Sequence, residues 1–186
     1  MKNASFFTLS LAALLVAGCS STPTKVDTGP IHAASFNFIA KSPAPAASAF
    51  MPDTWAPIHA LIQDSISRNL ASKGLTRLAS GGDVIVAYLV ITGNNASTEP
   101  INDYFGYGRN AAALEDKAQD AYTGSKNPNY FEAGTLLIDI LDAKSPKLLK
   151  RSYVVRPLLR NPSTEVRAER IQEAVDAALK DLRIAR

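Results

Sequence analysis

Side-chain catalysis needs a nucleophile, a proton-transfer group or a set of metal ligands, and this chain of 186 residues is poor in all three. It has one cysteine and two histidines. A zinc site takes about three or four convergent ligands, yet His32 sits near the N-terminus and His59 lies inside a helical pattern. No Gly-x-Ser-x-Gly elbow is present to present a serine nucleophile. His59 reads as a helix-surface residue. Asp139 and Asp142 are three apart on a strand pattern, so they point to opposite faces and do not make a close carboxylate pair. Asp139 is expected to face the open side of a sheet and Asp142 to serve a turn. The expectation is therefore no catalytic residue, no metal site and no cofactor.

Two groups have binding chemistry instead. In NDYFGYGRN, Tyr104, Phe105 and Tyr107 alternate with Gly106 and Gly108, and Arg109 follows. Aromatic faces bind sugars and partner side chains with little ordering cost, and glycine admits close backbone approach. The competing reading packs these rings back against the sheet. A Gly-x-Gly without a strand-to-helix setting is weak evidence for phosphate. The second group is Lys150 and Arg151, with Lys147, Arg156 and Arg160 nearby. On a regular strand Lys150 and Arg156 share a face and Arg151 takes the other. Such cations suit peptidoglycan carboxylates or anionic lipid headgroups; the competing reading is a solvated positive strand that protects a sheet edge.

The single cysteine has a different explanation. Lys2 supplies a positive start, residues 6–16 an apolar run, and Ala17 and Gly18 the small residues a signal peptidase requires. The run is shorter than the roughly 20 apolar residues of a membrane-spanning helix. Val16-Ala17-Gly18-Cys19 resembles the lipobox of bacterial lipoproteins. That resemblance implies cleavage before Cys19 and its lipidation, and more than one acyl chain anchors durably where a single one does so marginally. Ser20 and Ser21 follow without an inner-membrane retention aspartate, so the resemblance favours the periplasmic face of the outer membrane. Residues 1–18 are thus expected to be a signal peptide, and residues 19–32 a lipidated cysteine with a flexible tether rich in Ser, Thr and Pro.

The remainder, residues 33–186, suffices for one domain. A lone cysteine excludes an internal disulfide, so packing must hold the core. The net charge of +3 hides an asymmetry. Residues 80–142 carry nine acids and three bases, about −6, while residues 143–186 carry eleven bases and five acids, about +6. Nucleic acid is not an expected partner of an envelope protein.

The elements that must position these groups read as follows. Residues 36–39 alternate as a short strand before a proline-rich run. Asp53 or Thr54 caps a helix in which Ile58, Leu61, Ile62, Ile66 and Leu70 recur, and Gly74 ends it. Residues 75–78 form a short strand. DVIVAYLVIT is a strand buried on much of both faces. Residues 93–129 form a long loop, with a short helix in AAALEDKAQDAY. YFEAGTLLIDILD places Leu136, Ile138 and Ile140 on one face and Thr135, Leu137 and Asp139 on the other, and it turns through AKSPK into a second strand. Asn161 or Ser163 caps a terminal helix with Ile171, Val175, Ala178 and Leu182 inward.

The hairpin EAGTLLIDILDAKSPKLLKRS resembles the most distinctive segment of the bacterial lipoprotein family known as domain-of-unknown-function family 4136. Gly134, Leu136, Ile138, Asp139, Asp142 and Arg151 match its pattern; Lys150 stands where the family usually has tryptophan and Ser152 where it has glycine. The order of the remaining elements agrees as well. The resemblance implies an α+β lipoprotein domain and supplies no catalytic residue.

Together these readings predict a single α+β domain, with an antiparallel sheet of four or five strands and two main helices on one face. The expected function is a non-enzymatic, lipid-anchored envelope protein that binds an envelope protein, a glycan or an anionic lipid. A structural or transport-accessory subunit is the alternative, and an envelope hydrolase ranks behind both.

Overall fold

The computed structural model describes residues 25–39, 56–94, 98–100, 132–145 and 147–185. The strands are β1 (Val26–Asp27), β2 (Ile31–His32), β3 (Ser35–Phe38), β4 (Thr76–Arg77), β5 (Val84–Asn94), β6 (Thr98–Pro100), β7 (Glu132–Asp142), β8 (Leu148–Pro157) and β9 (Ile184–Ala185). The helices among the described residues are α1 (Ala56–Ser72) and α2 (Thr164–Leu179).

One α+β layer pair results. Six strands lie in the order β1-β8-β7-β5-β3-β4, and β6 pairs with β5 off that path. β5 and β7 run antiparallel over their full length, from Val84 opposite Asp142 to Asn94 opposite Glu132. β7 and β8 form the expected hairpin, with an irregularity between Ile140 and Leu141.

The sheet is mixed, which corrects the expected antiparallel sheet of four or five strands. β3 runs parallel to both β5 and β4. The cause is connectivity: α1 separates β3 from β4, and a helical crossover returns the chain to the end where the strand began, so the next strand runs parallel. Alternation in sequence marks a strand but carries no direction. Within the stretch expected as tether, residues 26–27 and 31–32 enter the fold, because β1 pairs with β8 and β2 runs parallel to β9.

Both helices pack on the same face of the sheet, as expected. Ile62, Ile66 and Leu70 of α1 and Val175, Ala178 and Leu179 of α2 share one core with Phe36, Val86, Tyr88, Leu136, Ile138 and Ile140. Polar contacts between the helices fix their seam: Arg68 donates to Gln172 at 2.9 Å and Asn69 to Asp176 at 2.7 Å. Ala87, Leu89, Ile91 and Leu137 form a second buried cluster on the opposite face. β5 is therefore buried on both faces, which accounts for its nearly unbroken apolar sequence.

Local chemistry sets the boundaries. Ser163 caps α2 by accepting from the Val166 backbone at 3.3 Å. Gly74 closes α1 at φ 93, in the left-handed region that favours glycine. Asp83 joins β3 to β5 by accepting from the Ala34 and Ser35 amides at 2.9 and 3.0 Å and from the Ser35 hydroxyl at 2.9 Å. These bonds hold its carboxyl below the usual range, the Ala34 amide contributing most. Gly82 lies so close to the Phe36 backbone that a Cβ there would approach it to 2.6 Å.

Candidate ligand cleft

The β7–β8 ladder has two ends with different electrostatics. Near the turn, Asp139 lies opposite Arg151. Arg151 Nε donates to Asp139 Oδ1 at 2.8 Å, and Nη2 donates to Oδ2, a two-point pairing of a carboxylate only 3% exposed. Asp139 does face away from the helices, but it is buried rather than open to solvent. Lys150, on the helix side, is also buried; it donates to Asp27 Oδ2 at 2.7 Å and to the Asp181 carbonyl at 3.3 Å. The Lys150 bond holds the Asp27 carboxyl below its usual range. Asp142 accepts from the Ser145 hydroxyl and the Lys144 amide, which lower its carboxyl likewise, the hydroxyl first. The charges of Lys150 and Arg151, the two candidate binding residues on this hairpin, are therefore committed to carboxylates of the same chain.

His59 corrects a second expectation. It is 5% exposed, not a surface residue, and its Nδ1 lies 3.0 Å from the Tyr88 hydroxyl. Burial pushes the Tyr88 phenol above its usual range, so that hydroxyl stays protonated. Phe38 meets the Tyr88 ring edge-on, with centroids 6.3 Å apart. The group is enclosed by the core, where Tyr88 and His59 Nδ1 partner each other.

Among the described residues the far end of the ladder is open. A cleft of about 390 Å³ lies between α1, α2, the distal parts of β5, β7 and β8, and the segment joining β8 to α2. Its volume falls within the roughly 300 to 1,000 Å³ of small-ligand sites. Ile58 and Ile62 of α1, Val90 of β5, Leu136 of β7, Val154 of β8 and Ile171 of α2 supply aliphatic walls. Leu158 and Leu159, 42% and 47% exposed, complete them. Gly134 accommodates Leu158, since a Cβ at Gly134 would come within 2.9 Å of its Cδ2. No aromatic and no acidic side chain is among the described lining residues.

Three arginines line this cleft: Arg156, Arg167 and Arg170. Arg156 comes to the helix side with Lys150, as strand parity predicts. Among the described residues none of the three forms an ion pair; the pairs present are Lys150 with Asp27 and Arg151 with Asp139. Arg170 Nη2 donates to the Pro157 carbonyl at 2.9 Å, tying α2 to the end of β8, and Arg156 Nη1 donates to the Val155 carbonyl at 3.2 Å. A guanidinium carries five N–H donors, so each of these two has capacity for an anion.

Cys19, Tyr104, Phe105, Tyr107 and Arg109 lie outside the described residues, as does the helix expected in AAALEDKAQDAY. Among the described residues no three His, Cys, Asp or Glu side chains gather to hold a metal, and no helix is long and apolar enough to cross a membrane. The cleft itself escaped sequence reading because its walls come from five stretches of chain. One signal was present, the excess of positive charge after residue 143.

A family model described as "Domain of unknown function (DUF4136)" matches residues 33–182. No curated protein matches the chain. Among solved structures, a PDZ domain protein from Parabacteroides distasonis ATCC 8503 is similar at 15% identity and a TM-score of 0.43, over 79% of this chain and 31% of that one. The chain thus spans under a third of that protein's length.

Proposed function

The chain belongs to the family of domain of unknown function DUF4136, and from that premise we propose a non-enzymatic cell-envelope lipoprotein. It is anchored through Cys19 to the periplasmic face of the outer membrane and binds an envelope ligand in the cleft of Arg156, Arg167 and Arg170. The carrying observation is the contrast within one ladder. Lys150 and Arg151 of β8 meet carboxylates, whereas three guanidiniums beside an aliphatic cleft meet none among the described residues. Anchoring is supported by the lipobox-like Val16-Ala17-Gly18-Cys19 alone. A binding role fits a site lined by apolar walls and a few convergent cations, the usual composition of a small-ligand site.

The test compares the intact chain with Cys19→Ser in cells, using palmitate labelling, membrane fractionation and crosslinking with mass spectrometry. The reading predicts acyl label and outer-membrane location for the intact chain only, with adducts on the cleft residues. Equal membrane association of Cys19→Ser, without acyl label on either form, contradicts the anchoring. Adducts confined to surfaces away from the cleft contradict the site.

A further inference from the structure

We propose that the cleft binds an amphipathic anion, a single aliphatic chain ending in a carboxylate, with the chain along Ile62, Val154 and Ile171 and the head at Arg167 and Arg170. This rests on the binding reading above and gives its ligand a chemistry.

Four observations converge on that class. The described walls are aliphatic and contain no aromatic ring, so a sugar finds no face on which to stack. They contain no acid, which disfavours a cationic ligand. The arginines supply charge complementarity without an internal counter-ion: no ion pair engages them among the described residues, and a guanidinium binds a carboxylate by two parallel N–H donations. The size, about 390 Å³, is that of a small-ligand site and suits one aliphatic chain. A ligand of this kind presents apolar length to the walls and negative charge to the cations at once. A purely apolar ligand leaves the guanidiniums unused, and a small inorganic anion leaves the walls wet.

The experiment uses the full chain in isolated membranes and a hexadecanoate bearing a photoactivatable diazirine, with adducts mapped by mass spectrometry. Adducts are expected on α1, β8 and α2 at the cleft. Unlabelled carboxylates should compete with increasing strength from octanoate to dodecanoate, by up to about fourfold per buried methylene. Dodecanol and dodecylamine should compete at least tenfold more weakly than dodecanoate. Arg167→Gln with Arg170→Gln should cut adducts at least tenfold with the fold retained and only a small drop in melting temperature from loss of the Arg170 bond to the Pro157 carbonyl, and Arg167→Lys with Arg170→Lys should retain more labelling than the glutamine pair. Equal competition by dodecanol, unchanged labelling of the glutamine variant, or an intrachain crosslink showing the cleft filled by this chain itself would each overturn the inference. The two readings fail separately. Cleft labelling on a chain without acyl modification sinks the anchoring and leaves the ligand class standing. An acylated chain that captures another envelope component in the cleft, but not the carboxylate, does the reverse.

Discussion

Strand β8 carries cations toward both the turn end and the open end of the β7–β8 hairpin, and they are used in opposite ways. Near the turn, Arg151 holds Asp139 and Lys150 holds Asp27, so each charge is spent inside the fold. At the open end, Arg156 and the neighbouring helix residues Arg167 and Arg170 line an aliphatic cleft without an ion pair among the described residues. A basic residue is thus informative about binding only once its acid partner has been sought. The family-like motif itself is largely structural. Asp139 and Arg151 pair across the strands, Asp142 orders the turn, and Gly134 makes room for Leu158.

The largest expected effect comes from breaking the turn end. Arg151→Ala leaves the Asp139 carboxylate buried without its partner, and loss of one member of a buried pair costs about 3 to 5 kcal/mol. Chemical denaturation should show that loss, with ligand capture retained in the folded fraction. A loss below about 1 kcal/mol would place this pair among weak surface pairs and collapse the contrast.

Removing the cap at the open end should cost less. Ser163→Ala deletes the acceptor for the Val166 amide, a loss of about 1 kcal/mol. Because α2 contributes Arg167, Arg170 and Ile171 to the cleft, hydrogen exchange should rise first in its initial turns and capture should weaken. Loosening spread evenly over the molecule would contradict a local role.

Acid should act mainly at the turn end. Asp27, Asp83 and Asp142 are all held below their usual range by bonds made in the folded state. A carboxyl lowered in this way stabilises the fold above its unfolded value, near pH 4, and that contribution disappears as pH falls through the folded value. Melting temperature should therefore decline below about pH 4, and Asp83→Asn should flatten the decline. A profile unchanged by Asp83→Asn would remove Asp83 from this set.

The smallest effect on stability is expected at the exposed leucines of the cleft. Leu158→Ser with Leu159→Ser changes side chains already exposed, and such changes usually stay within about 0.5 kcal/mol. Capture should nevertheless fall several-fold in a direct binding assay. A large drop in melting temperature would instead make these leucines part of the core.

Sequence periodicity revealed the elements formed by contiguous residues. The alternation of Leu136, Ile138 and Ile140 against Leu137 and Asp139 gave the faces of β7, and Ile171, Val175 and Ala178 gave the inner face of the last helix, while Leu182, expected on that helix, enters the same core just beyond its end. His59 was misread although the information was present, because His59, Ile62, Ile66 and Leu70 follow one helical stripe. Its polarity suggested solvent, while Tyr88, distant in sequence, supplied the partner. Strand direction was not legible for the same reason: the parallel pairing of β3 with β5 depends on the intervening crossover. The cleft depends on sheet order, which brings Val90, Leu136 and Val154 side by side and sets Ile62 and Ile171 above them.

The most direct test of this division is hydrogen exchange at arginine Nε–H groups, followed by NMR in the full chain before and after addition of dodecanoate. The account predicts slow exchange at Arg151 in both states, and fast exchange at Arg167 that slows only with the carboxylate. Protection of Arg167 in the ligand-free protein, or fast exchange at Arg151, would contradict it.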